Sequence, residues 1–413
     1  MKSIRKNIFF KEYKDISIAN KLLYVSLSIS LLFGIYFGED TSGGGSILDF
    51  NTTFPMVENP LSFRDDINWH FPLHYYIAGF FYNISGSINF LKFSFVSLCY
   101  FVPILFYISL RGKYQKIDKN NLFLFSLILF LIPSLRTSAI WPNSHFTATL
   151  FLIASIIYFI KWEEEKKFHS ITANLFLTIT LMSLAVYTRQ LYALIFLFFV
   201  FIFFKKLKFK TFCKTSLLIL LFALPGIYMV LNWPKTLTLS FDLRIYNSIL
   251  VNASIISFYL IPFYFFYLWS EKKIDYKAAI FSIISVLILS FFFDYNYKLG
   301  GGAFIKLSML LLNNFYLFYL TSIAGIYILF ILCKDNFANF TLTSLIIFGF
   351  SATILPQKYF EPMMLILFFT IYNSDLFVNI LKDKKKIIYS FIYFAIYLLS
   401  AILNDIYNFN SSL

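Results

Sequence analysis

Apolar residues run along this chain in long blocks separated by short polar intervals. Residues 20–38, 88–110, 247–269, 309–332 and 387–403 each approach the roughly 20 residues that a helix needs to cross hydrocarbon. Further blocks at 121–135, 146–161, 170–187, 191–204, 215–231, 277–293, 339–356 and 360–380 bring the expected number of spans to about thirteen. Helices are the expected form, because a helix satisfies its own backbone groups in lipid. Only Thr188-Arg189-Gln190 separates the fifth block from the sixth. The first polar interval, 39–87, is the longest, and within it residues 71–84 are read as a helix lying in the outer interface. A crossing there would turn every later basic cluster to the other side of the membrane. No internal repeat and no low-complexity linker appears, so the expected architecture is an all-α polytopic membrane protein forming one domain over residues 1–413.

Composition supports this pattern: 59% of the residues are hydrophobic and 14% charged, where soluble proteins carry about 25% charged residues. The basic start (Lys2, Arg5, Lys6, Lys11, Lys14) leads into a span with no small-residue cleavage site after it, so residues 20–38 are expected to remain as the first anchor. Cys99, Cys213 and Cys333 show no CxxC spacing, and neither a disulfide nor a metal is read from them. In a soluble protein a net charge of +14 would suggest nucleic acid. Here the positive-inside rule explains it: alternating spans from a cytoplasmic N-terminus put 26 of the 35 Lys and Arg inside, including the clusters Arg111 to Lys119, Lys205 to Lys214, Lys272 to Lys277 and Lys382 to Lys386. The expected location is the inner (plasma) membrane of a bacterial-type cell, with the 39–87 loop and the C-terminus extracytoplasmic.

Arginine departs from this rule. Lysines divide 24 inside and 5 outside, whereas Arg5 and Arg111 lie inside and Arg64, Arg136, Arg189 and Arg244 outside. The fork of guanidinium donors suits bidentate pairing with phosphate; pairing with acidic residues of the same loops is the plainer alternative. Arg136 and Arg189 are the sharper cases, because each sits in or at the end of an apolar block with few carboxylates nearby in sequence. Glu39-Asp40 closes the first span, where a rigid helix end and the edge of low dielectric suit a general base; solvated caps at a membrane boundary would read the same. Farther along the first loop come Arg64, Asp65, Asp66, His70 and His74. Histidines four apart can share a helix face, but without HExxH or a third ligand no zinc site is expected.

The order of these features resembles the GT-C superfamily of lipid-dependent glycosyltransferases. An acidic pair closes the first span, a long first outer loop follows, and then comes the aromatic segment His70-Phe71-Pro72-Leu73-His74-Tyr75-Tyr76. The polar segment from Arg136 to His145 occupies the second outer loop. Tyr187-Thr188-Arg189-Gln190 and Pro356-Gln357-Lys358-Tyr359-Phe360-Glu361-Pro362 are similar to segments of the eukaryotic α-1,2-glucosyltransferase of lipid-linked oligosaccharide assembly. The acidic pair reads Glu-Asp, where many relatives have Asp-Glu or Asp-x-Asp. The resemblance implies a polyprenyl-phosphate sugar donor, a glycan, lipid or protein acceptor, contact with membrane lipids, no nucleic acid and no cofactor. It implies a base at Asp40 with Glu39 or Asp66 in support, and substrate binding by Arg64, His70, His74, Arg136, His145, Arg189 and Lys358. Two other classes share polytopic form: an oligosaccharide polymerase or ligase, which also carries arginines in outer loops, and a lipid-linked glycan transporter or flippase.

Overall fold

The computed structural model describes residues 15–42, 45–60, 71–232, 244–271, 274–298, 300–350 and 355–411. All regular structure in these residues is helical. In chain order the α-helices are α1 (Ile18–Phe37), α2 (Gly45–Glu58), α3 (Leu73–Ser85), α4 (Ile88–Cys99), α5 (Phe101–Lys113), α6 (Lys119–Ser126), α7 (Pro133–Ile140), α8 (Ser144–Glu165), α9 (Ala173–Thr188) and α10 (Tyr192–Lys206). They continue as α11 (Phe209–Asn232), α12 (Ile245–Glu271), α13 (Tyr276–Ser290), α14 (Gly302–Leu312), α15 (Tyr316–Cys333), α16 (Phe337–Gly349), α17 (Met363–Thr370), α18 (Asp375–Lys382) and α19 (Lys384–Ser411).

Seven of the helical stretches among the described residues are long and apolar enough to cross a membrane, or up to nine when two bent pairs each count as one. Four more of the expected thirteen crossings correspond to short helices: α9, α10, α13 and α16, of 16, 15, 15 and 13 residues. The block expected at 309–332 is divided, since Asn313 takes a left-handed conformation (φ 50°) and separates α14 from α15. The blocks at 121–135 and 360–380 are interrupted, bending by 63° and 94°. Pro133 opens α7 at its first position, where a missing N–H costs nothing. At the second bend Ser374 caps α18, and the Asn339 side chain donates to the Asn373 carbonyl (2.8 Å). The segment 39–87 holds α2 and α3, and the 13 residues of α3 are too few to span.

Helices α8 and α12 form the centre, with 72% and 78% of their most apolar windows buried, whereas α1, α11 and α19 are at 17%, 6% and 22% and turn leucine and isoleucine outward. A Cβ at Gly325 would meet the Ala253 carbonyl at 2.0 Å, so glycine is what lets α15 lie against the backbone of α12. Beside that contact Ser254 bonds Thr321 (2.8 Å), and the Asn252 amide reaches the Ile347 carbonyl (3.1 Å). In α11, which contains Pro225, the Tyr187 hydroxyl enters the backbone ladder: it donates to the Phe222 carbonyl and accepts from the Gly226 N–H (3.0 Å).

Charged contacts between helices gather at two levels. One joins Glu39 with Arg136, Asp49 with Lys358 and Arg244 with Asp294. The other joins Asp15 with Lys119, Glu163 with Lys206 and Asp275 with Lys334. The second level also carries the basic clusters of the 111–119, 205–214 and 382–386 segments. Helix α1, long enough to cross a membrane, runs from the Asp15–Lys119 pair to the Glu39–Arg136 pair, and the shorter α13 from the Asp275–Lys334 pair towards Arg244–Asp294.

Candidate functional site

The level opposite the basic clusters collects most of the described candidate residues. Helix α1 ends at Gly38 in a left-handed conformation (φ 68°), so Glu39 and Asp40 turn back over α7. The side chains then part. Glu39 takes two donors from Arg136, Nε to Oε1 (2.8 Å) and Nη2 to Oε2 (2.7 Å), and its carbonyl accepts from Trp141 Nε1 (3.1 Å). Arg136 also donates to Ser30 Oγ (2.9 Å) and the Ser30 carbonyl (3.3 Å), so four of its five donors are used in a pair that is 3% and 9% exposed. A distant carboxylate thus supplies the partner that the neighbouring sequence lacks.

Asp40, 1% exposed, organises the following turn. Its Oδ1 accepts from the Ser42 N–H (3.0 Å) and hydroxyl (2.5 Å), and its Oδ2 from the Ser46 (3.0 Å) and Ile47 (2.9 Å) N–H groups at the start of α2. A carboxylate receiving the open N–H groups of a helix start is a strong cap. The Asp40 N–H in turn donates to Asp405 Oδ2 of α19 (3.1 Å), a residue that sequence reasoning did not single out. Thr41 bonds Thr137 (2.7 Å), fastening the same turn to α7.

Arg189 lies where α9 stops and the chain turns into α10, in extended conformation (φ −148°, ψ 118°) and 4% exposed. Its Nη1 donates to Ser144 Oγ (3.1 Å), and its guanidinium carbon sits 5.0 Å from the Tyr359 ring centroid. No carboxylate among the described residues pairs with it. Burial pulls its pKa below the ordinary arginine value, while Tyr359, Tyr192 and Tyr75 act in the opposite sense. The His145 ring stacks obliquely on Tyr359 at 5.2 Å. His74, in the first turn of α3, bonds Thr147 through Nδ1 (2.9 Å). Burial pushes its imidazole down to about 3, a hydrogen bond to the Pro142 backbone opposes this, and the Arg189 charge adds to it, so His74 is neutral near pH 7.

Lys358 is salt-bridged to Asp49 of α2 (2.6 Å) at a partly exposed position. Arg64, Asp66 and His70, with Asp65, lie outside the described residues. Glu361, which the sequence does not single out as a site residue, is 3% exposed and holds a network of its own. It accepts from the hydroxyls of Tyr259 and Tyr397, from Gln357 Nε2 (3.0 Å) and from the Ser134 N–H (3.1 Å) at the start of α7. Both interrupted spans therefore meet at one carboxylate. Among the described residues no three His, Cys, Asp or Glu side chains gather as a metal site. Two cavities, of about 800 and 770 Å³, are lined by other residues.

Compared with family models, with curated proteins and with solved structures, the chain matches none of them.

Proposed function

We propose that the protein is a membrane glycosyltransferase that moves a sugar from a polyprenyl-phosphate donor to a glycan, lipid or protein acceptor on the extracytoplasmic face of the inner membrane, with its N-terminus cytoplasmic. The observation that carries this reading is Arg189, a buried guanidinium answered, among the described residues, by tyrosines and a serine instead of a carboxylate. Burying a cation without a counter-charge is costly, and an anionic ligand removes that cost. A lipid phosphate supplies the anion and fits the planar fork. Arg136, already held by Glu39, serves instead to fix the end of α1, and the phosphate falls to Arg189.

In the reaction the acceptor oxygen forms its bond to the anomeric carbon as the bond to the phosphate oxygen breaks, with inversion. Arg189 and the Tyr359 hydroxyl stabilise the charge on the departing polyprenyl phosphate. Asp40 takes the acceptor proton. It can do so by releasing the Ser42 hydroxyl, the one donor of its four that rotates freely, and Ser46 Oγ stands 3.0 Å away to receive that hydroxyl.

The test is transfer by purified protein in proteoliposomes from a panel of radiolabelled polyprenyl-phosphate hexoses, alongside mass spectrometry of envelope glycolipids with and without the gene. A new glycosidic bond made by the unaltered protein and lost in Arg189→Lys supports the reading. A second reading, a transporter of lipid-linked glycans, is favoured by the two interrupted spans that join at Glu361, since broken helices at a shared point suit alternating access. Glycolipid that crosses the proteoliposome membrane with its bonds intact would establish that reading instead.

A further inference from the structure

The cavity of about 770 Å³ lies at the level of the basic clusters, opposite the candidate site. The ends of α5, α8 and α10 and the bend between α17 and α18 enclose it. Its walls are of two kinds. Phe159, Phe198, Ile202 and Ile371 are apolar, while Lys113, Lys116, Lys205, Lys206, Lys382, Glu163 and Glu164 bring charge, the Lys113 amine donating to the Tyr372 carbonyl. The acids are already engaged: Glu163 pairs with Lys206 (2.5 Å) and Glu164 accepts from Gln115 (2.5 Å). Lys116, Lys205 and Lys382 have no carboxylate partner among the described residues. Lys205 instead stands 4.6 Å and 4.5 Å from the ring centroids of Phe201 and Phe337.

We propose that this cavity binds one acidic phospholipid, its phosphate among Lys116, Lys205 and Lys382 and an acyl chain along the apolar wall. Charge complementarity selects the occupant. Three lysines without carboxylate partners among the described residues call for an anion, and basic pockets between helices on this side of a membrane suit acidic headgroups. A free phosphate would leave the apolar wall uncovered. The chain's own N-terminal segment, with Lys2, Arg5, Lys6, Lys11 and Lys14, carries the wrong sign.

Native mass spectrometry of the full-length protein in mild detergent, titrated with phosphatidylglycerol, cardiolipin or phosphatidylcholine, tests this. The expected result is one acidic lipid retained at least tenfold more strongly than phosphatidylcholine. The K116Q/K205Q/K382Q variant loses that preference, and K116R/K205R/K382R, which keeps the charge, retains it. K166Q/K167Q/K210Q, which removes three exposed lysines outside the cavity wall, leaves it intact. Equal loss in the two glutamine variants would reduce the effect to general attraction by a basic surface. Lysines at helix C-termini also answer the helix dipole, so a lowered melting temperature in K116Q/K205Q/K382Q with unchanged lipid preference overturns the proposal. So does displacement of the lipid by millimolar inorganic phosphate, or retention of phosphatidylcholine equal to that of the acidic lipids.

Discussion

Replacing Glu39 by glutamine strands a buried charge. The Arg136 side chain is 3% exposed and loses its one carboxylate, keeping only the Ser30 oxygens and a neutral amide. Removing one member of such a pair costs about 3–5 kcal/mol. Unfolding entropy of about 2.1 cal/mol/K per residue gives about 0.9 kcal/mol/K for 413 residues, so the melting temperature falls by about 3–6 °C. The double variant Glu39→Gln/Arg136→Gln carries no buried charge there and recovers part of the loss, with a coupling of about 1–3 kcal/mol. The assay is thermal unfolding in detergent, followed by intrinsic fluorescence, for wild type, both single variants and the double. Donor binding by the unmelted fraction of Glu39→Gln should match wild type. If Glu39→Gln melted like wild type yet lost donor binding, the pair would belong to the ligand site and the separation of the two arginines would be wrong.

Arg189→Lys should show the reverse, a melting temperature close to wild type with donor binding weakened roughly tenfold or more through loss of the bidentate fork, measured by titration with polyprenyl phosphate. Asp40→Asn should abolish transfer and also loosen the start of α2 by about 1–2 kcal/mol, whereas Ser42→Ala, which removes only the rotating hydroxyl, should keep transfer; single-turnover rates with parallel melting curves separate the two effects. Because the folded pKa of His74 is depressed to about 3 from 6.5, the folded state binds fewer protons below pH 6.5. The His74 contribution to stability is therefore intact above that value and falls by about 2 kcal/mol by pH 5, a loss that His74→Asn should remove in melting curves at pH 7.5 and 5. In a chain freed of Cys99, Cys213 and Cys333, cysteines placed at the exposed positions Leu48 and Lys208 should label from opposite sides of the membrane.

Much of the helix order is legible in the sequence, because lipid demands long apolar blocks and these are visible one by one. What is hard to read is where a block breaks. Pro133 marks one interruption in plain view, but the bend at residues 371–374 depends on Asn339, more than thirty positions away, donating its side-chain amide to the Asn373 carbonyl. The site divides in the same way. The acidic pair, the second outer loop and the Arg189 turn stand out because charges in apolar surroundings are conspicuous. That Glu39 faces Arg136 across 97 positions, while Arg189 faces tyrosines, is a matter of tertiary placement that no local pattern carries. Glu361 shows the limit: its segment is conspicuous in the sequence, but its role in joining α7, α12 and α19 appears only in three dimensions.

The lengths of α9 and α10 bear on how a phosphate could reach Arg189. At about 1.5 Å per residue, helices of 16 and 15 residues cover about 24 and 22 Å, against a hydrocarbon core about 30 Å thick. If their basic-side ends stay at the membrane boundary, the turn that joins them stops several ångströms short of the opposite one. A bilayer meeting so short a hairpin thins against it. Headgroups on that side then sink toward the turn, and the guanidinium that looks deeply buried in the protein comes level with the phosphates of the lipids around it. A long-chain lipid could present its phosphate there by moving sideways within its own leaflet.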